Sequence, residues 1–204
     1  MDHIIYLHGF LSSPKSEKAR LVLKYVAHNH PNIQLHIPKL PGNSAKAVEI
    51  VERLICTVLS NKSMNKNMNK DTPTNGLRFI GSSMGGFLAT YCVETYGGKA
   101  VLVNPAVEPF NLLTEYFGEH LNPYTGEVFS IDQSSVGQLL QLNKVIKRND
   151  PNYLVYLQKE DETLDYRLAE KKYGTDCCII EEGGNHSFTG LQNHLRDIIG
   201  FLSQ

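Results

Sequence analysis

Leu77-Arg78-Phe79-Ile80-Gly81-Ser82-Ser83-Met84-Gly85-Gly86-Phe87-Leu88-Ala89-Thr90-Tyr91 is an apolar run that meets a glycine-flanked serine and then resumes with helical spacing. It reads as strand, sharp turn and helix. So tight a turn strains its central residue, and Gly81 and Gly85 remove the side chains that would collide on either side of Ser83. The expected result is a serine hydroxyl lifted clear of a sheet edge. Ser82 lacks the symmetric glycine spacing and is assigned to support of the turn. Because G-x-S-x-G also occurs in ordinary glycine-rich turns, its meaning depends on what other segments bring to it.

Upstream, Ile4 to Leu7 reads as a first strand, followed by the turn-rich loop His8-Gly9-Phe10-Leu11-Ser12-Ser13-Pro14. Ala19, Val22, Leu23, Val26 and Ala27 then share one face of a helix over Ser16 to Asn29. Ile33, Leu35 and Ile37 alternate with polar residues as an outer strand, and Ser44 is the expected N-cap of a second helix. Residues 60–76, rich in Asn, Lys and Ser, read as a solvated, mobile connection. Downstream, strands are expected at Ala100–Val103, Tyr153–Leu157 and Cys177–Glu181, with helices over Leu164–Tyr173 and Phe188–Leu202. The segment 106–149 is longer than a normal crossover; it carries a turn-rich Asn122-Pro123-Tyr124-Thr125-Gly126 and a helical stretch from Asp132 to Val145.

Six strands separated by helices specify an α/β fold: a mainly parallel sheet covered on both faces, with 106–149 as a short cap. At 204 residues the chain is expected to form a single domain, 1–204. Hydrophobic content of 41%, charged content of 20% and a net charge of −1 supply no general attraction to nucleic acid or anionic membrane. The lysines of 60–76 have no aromatic residues among them, which argues against nucleic-acid binding. There is no membrane-spanning run and no basic segment leading into a long apolar stretch, so a cytoplasmic location is the default expectation. Cys56, Cys92, Cys177 and Cys178 sit in apolar patterns and are expected to be buried reduced thiols, the adjacent pair pointing to opposite faces of a strand.

In parallel sheets the ligand crevice lies beyond the carboxyl ends of the strands. His8-Gly9, Gly81-Ser82-Ser83, Asp161 and Gly183-Gly184-Asn185-His186 all follow strand ends, so all gather at one edge. A serine hydroxyl needs a base, and His186, in a glycine-containing loop after the last strand, is the preferred one over His8 and His194. The imidazole needs a carboxylate partner. Asp161 is chosen, with Glu160, Glu162 and Asp165 as its neighbours; Glu160 and Glu162 read most simply as solvated. A developing oxyanion needs amide donors, one from Met84 and the second from Phe10 or, next, Leu11. Gly9, Leu11, Phe110, Leu113, Tyr116 and Phe117 are candidates for contact with substrate, the aromatics either walling the site or only packing the crossover against the sheet.

Together these segments resemble the α/β-hydrolase superfamily, in particular its small bacterial YqiA-type esterases. The resemblance runs nearly end to end, through Tyr6-Leu7-His8-Gly9-Phe10, Gly81-Ser82-Ser83-Met84-Gly85-Gly86, Val103-Asn104-Pro105-Ala106-Val107, Asn122-Pro123-Tyr124-Thr125-Gly126, Asp161-Glu162-Thr163-Leu164-Asp165-Tyr166-Arg167 and Gly183-Gly184-Asn185-His186-Ser187-Phe188. It implies a serine esterase with Ser83 as nucleophile, His186 as base and Asp161 as its partner. Short-chain acyl esters are the implied substrates, acyl-coenzyme A or carrier thioesters the alternative. It also implies that the leading strands of the full superfamily fold are absent. No metal or organic cofactor is expected. The competing reading from another class is a non-catalytic binding module on the same fold.

Overall fold

The computed structural model describes residues 2–63, 76–144, 146 and 152–204. Most of the proposed connection 60–76, and the end of the cap segment with Val145, lie outside the described residues. The strands are β1 (Asp2–Leu7), β2 (Ile33–His36), β3 (Arg78–Ser82), β4 (Lys99–Val103), β5 (Gly118–Leu121), β6 (Val128–Ile131), β7 (Tyr153–Gln158) and β8 (Cys178–Glu181). The helices are α1 (Glu17–Asn29), α2 (Ser44–Ser63), α3 (Met84–Tyr96), α4 (Pro109–Leu113), α5 (Gln133–Asn143), α6 (Tyr166–Tyr173) and α7 (Leu195–Ser203).

Six strands form one parallel sheet in the order β2-β1-β3-β4-β7-β8. Strand alternation decides which side chains enter which core. Ile5, Leu7, Phe79, Ala100, Leu102, Val155 and Leu157 point to one face and pack with apolar residues of α2, α3 and α5. Ile4, Tyr6, Ile80, Val101, Val103 and Tyr156 point to the other and pack against α1 and α7. Both faces of the inner strands are therefore dry, which is why these strands read as unbroken apolar runs. α1 follows its sequence closely: the Ser16 hydroxyl accepts from the Ala19 amide, and Ala19, Val22 and Val26 are buried.

Elsewhere the observed elements correct the expected ones. Segment 106–149 contains an antiparallel hairpin, β5 with β6, whose corner is the turn expected at Asn122 to Gly126. Asn122 closes its corner, its side-chain oxygen accepting from the Tyr124 and Thr125 amides while its amide group donates to Ser12 O at 3.0 Å. Asn43, not Ser44, caps α2, its Oδ1 accepting from the Lys46 amide. The helix expected from Leu164 begins at Tyr166, because the Thr163 and Leu164 amides are committed to Asp161 and the Asp165 carboxylate accepts from the Arg167 amide. The closing helix is split: Gly190 is left-handed at φ 88°, Leu191–Asn193 forms a 3₁₀ turn, and α7 starts at Leu195. Cys92 is buried, but Cys56 is exposed, and Cys177 and Cys178 are only partly covered. Cys177 belongs to a 3₁₀ turn rather than to a strand, so the alternation argument for that pair does not apply.

Among the described residues, no helix is long and apolar enough to cross a membrane.

Candidate active site

β1 and β3 are neighbours, so the loop leaving β1 lies directly against the turn leaving β3. Ser83 sits in that turn at φ 55° and ψ −123°, a region that costs a residue with a Cβ of order 1–3 kcal/mol. The glycines around it are required by space. A methyl group on Gly85 would run into the Leu7 carbonyl, one on Gly81 would lie 2.7 Å from Gly86 Cα, and one on Gly86 would lie 2.6 Å from Pro105 Cβ. α3 thus rests on the ends of β1, β3 and β4 at backbone distance. Gly9 completes the contact from the other loop, a methyl there falling 3.1 Å from Ser83 Cβ.

His186 Nε2 lies 3.0 Å from Ser83 Oγ, and its Nδ1 lies 2.9 and 3.0 Å from the two oxygens of Asp161. A carboxylate only accepts, so Nδ1 carries the proton and neutral Nε2 is free to accept from the serine hydroxyl. The Asp161 side chain is 2% exposed, and its Oδ1 also accepts from the Thr163 and Leu164 amides at 2.9 Å each. Residues from the ends of β3, β7 and β8 are thereby joined in one hydrogen-bonded line. Met84 is the first residue of α3, so its amide has no carbonyl of its own helix to donate to. Phe10 follows Gly9 in the facing loop, and Leu11 is held at φ 50°.

His8 is buried and plays a different part. Its Nδ1 donates to Gly9 O at 3.0 Å and its Nε2 accepts from the Leu40 amide at 3.1 Å. Burial lowers its pKa, so it remains a neutral brace between two loops.

A narrow cavity of about 30 Å³ adjoins these loops. Leu40, Ala47, Leu88, Leu113 and Leu139 form its apolar wall, and Gly9, Phe10, Leu11 and Met84 also line it. Of the proposed substrate contacts, Gly9, Leu11 and Leu113 reach it. Phe110, Tyr116 and Phe117 do not line it: Phe110 packs against the core, Tyr116 meets the Phe10 ring edge-on at 6.1 Å, and Phe117 is 48% exposed. The Phe10 ring is further enclosed by Phe129 and His120 of the hairpin. Aromatic residues of segment 106–149 therefore pack around Phe10 of the β1 loop.

Four residues that sequence reading missed hold the histidine loop. Asn104, at φ 40°, donates to Asn185 O at 3.0 Å and accepts from the Gln158 amide. The buried Gln158 side chain accepts from the Asn185 and Thr189 amides and donates to Thr189 O. Glu162, expected to be merely solvated, accepts from the His186 amide at 2.9 Å, and that bond lowers its pKa. Lys18 donates to Ser187 O at 3.1 Å and to His186 O at 3.4 Å. One signal was present: Gln158 is an uncharged polar residue closing the apolar strand Tyr-Leu-Val-Tyr-Leu-Gln.

Among solved structures the chain is similar to Est1E from Butyrivibrio proteoclasticus, bound to ferulic acid: TM-score 0.64, 14% identity, covering 100% of this chain and 90% of that one. A metagenome-derived lipolytic enzyme of the LipS and LipT pair matches with TM-score 0.61 and 13% identity, over 98% and 93%. The esterase RhEst1 from a Rhodococcus species matches with TM-score 0.55 and 14% identity, over 100% and 90%. Identities this low speak to the fold, which is that of the α/β-hydrolases. A model of the uncharacterised protein family UPF0227 matches residues 3–203, nearly the whole chain, and the protein belongs to that family.

Proposed function

We propose that the chain is a serine hydrolase that cleaves carboxylic esters, preferentially those of short acyl groups, through an acyl-enzyme. One observation carries the reading: His186 bridges Ser83 Oγ at 3.0 Å and the buried Asp161 carboxylate at 2.9 Å. Ser83 Oγ attacks the ester carbonyl as His186 Nε2 takes its proton, and Asp161 orients the imidazole and stabilises its cationic form. The Met84 and Phe10 amides receive the oxyanion, each contributing roughly two to three orders of magnitude in rate. Collapse of the tetrahedral intermediate expels the alcohol, which takes the proton from His186. Water, activated by the same imidazole, then releases the acid and restores Ser83.

The size of the apolar cavity supports the short acyl preference. About 30 Å³ holds about two water molecules, little room for a long chain. Labelling with a fluorophosphonate probe and hydrolysis of a p-nitrophenyl ester series test the reading. The wild type should label and should favour acetyl over octanoyl ester, and Ser83→Ala should do neither. Wild-type protein that neither labels nor hydrolyses any member of the series would leave a non-catalytic module. Matched oxygen and sulfur esters separate esterase from thioesterase, and a large preference for the thioester would replace the ester reading.

A further inference from the structure

The loop carrying His186 has no regular structure and depends on side chains from other elements. Most of its ties come from the same sheet: Asn104 from the end of β4 and Gln158 from the end of β7. Lys18 is different. It comes from the first turn of α1, and its ammonium donates to both Ser187 O and His186 O. A cation there sits at the positive end of the helix dipole. It is also partly buried, and that desolvation lowers its pKa to about 8 against the opposing pull of Asp161 and Glu17. An exposed lysine would avoid both costs, so its placement calls for a counterpart at the loop it reaches.

We propose that Lys18 is a positioning residue for His186: its ammonium holds the two carbonyls of the histidine loop and keeps a positive charge beside the Asp161–His186 pair. The inference rests on the reading of His186 as the base. Among the described residues, Glu162 meets the pair through the His186 amide, and Lys18 of α1 interacts with Asp161 and with its own neighbour Glu17. Lys18 is the cation among them. A neighbouring cation disfavours a second positive charge on the imidazole beside it. Asp161, in direct contact, still stabilises the imidazolium formed during attack. Lys18 does not line the cavity at the β1 and β3 loops, so its loss acts through the geometry and charge of His186.

The test is an NMR titration of the His186 ring in wild type, Lys18→Met and Lys18→Arg, alongside kcat and KM for a short acyl ester. In K18M the titration midpoint should move up by about half a pH unit or more. Misplacement of the base should lower kcat roughly tenfold to a hundredfold with KM changed less than about twofold. K18R, which keeps charge and donors, should bring the midpoint back toward the wild-type value. If K18M does not fold, Lys18→Gln, which keeps a donor without the charge, carries the same test. An unmoved midpoint in a folded, uncharged variant overturns the proposal. So does an equal kcat loss in K18M and K18R that tracks their loss of Tm. The titration needs no substrate, so an inactive wild type would sink the proposed function and leave the role of Lys18 to be decided by the midpoint.

Discussion

Ser83 is held at φ 55°, where its own Cβ is unfavourable, and that strain is what projects its hydroxyl toward His186. Chemistry and stability therefore oppose each other at this position. Ser83→Gly should be more stable to urea than Ser83→Ala, by about 1 kcal/mol, although neither should be active; equal stabilities would mean that the turn carries no strain. At Asp161 the distinction is electronic. Asp161→Asn can present an N–H toward His186 and favour the wrong tautomer, so kcat should fall by roughly 10³-fold or more. Glu162→Gln keeps an acceptor for the His186 amide and should cost less than about tenfold. Equal losses in the two variants would reassign the carboxylate. The meeting of Ser83, Asp161 and His186 was readable because residue type, neighbouring glycines and chain order all point to the same sheet edge. Asn104, Gln158, Glu162 and Lys18 were not, because each acts through bonds to backbone groups far away in sequence, and no local pattern encodes such a partner.

α3 shows how one element carries a site. Its glycines let it sit on the strand ends, so Gly85→Ala, which drives a methyl group into the Leu7 carbonyl, should destabilise by about 2–3 kcal/mol. Gly137→Ala in α5 meets nothing within 4 Å and should instead gain roughly 0.5–1 kcal/mol of helix propensity. Thermal or urea unfolding of the two variants checks the contrast, and a tolerated Gly85→Ala would show that α3 can shift. The buried strands and α1 followed from periodicity because burial on both faces, or on one stripe, is written in the residue pattern. The hairpin did not. Its outer face exposes Leu121 and Val128, its inner face uses His120 and Phe129, and its pairing is held by the Asn122 corner rather than by alternation. The start of α6 was misread for a related reason: the amides that would open it are spent on Asp161.

The molecule as a whole buries bases and acids whose titration lies above neutrality, and these set its stability at alkaline pH. Lys18 and Lys172 have their pKa lowered by burial from 10.5 to about 8. Between pH 8 and 10.5 the unfolded chain therefore holds protons that the folded chain has released, and stability rises with pH. Cys92 and Cys178 are shifted the other way by burial, Cys178 to about 12, from an ordinary value of 9.0. Above pH 9 they ionise first in the unfolded chain, which offsets the lysine gain. Tyr6, Tyr96 and Tyr173 are likewise raised by burial from 10.0, so above pH 10 the folded protein holds the extra protons and stability falls. Urea midpoints should climb from pH 8 to 9, level off between 9 and 10, and drop by pH 11. Lys172 lies in α6, apart from the histidine loop, donating to Val107 O and lying over the Phe87 ring at 5.9 Å. Lys172→Met should therefore roughly halve the rise between pH 8 and 9. A rise that survives loss of both lysines would show that their burial does not govern the alkaline limb.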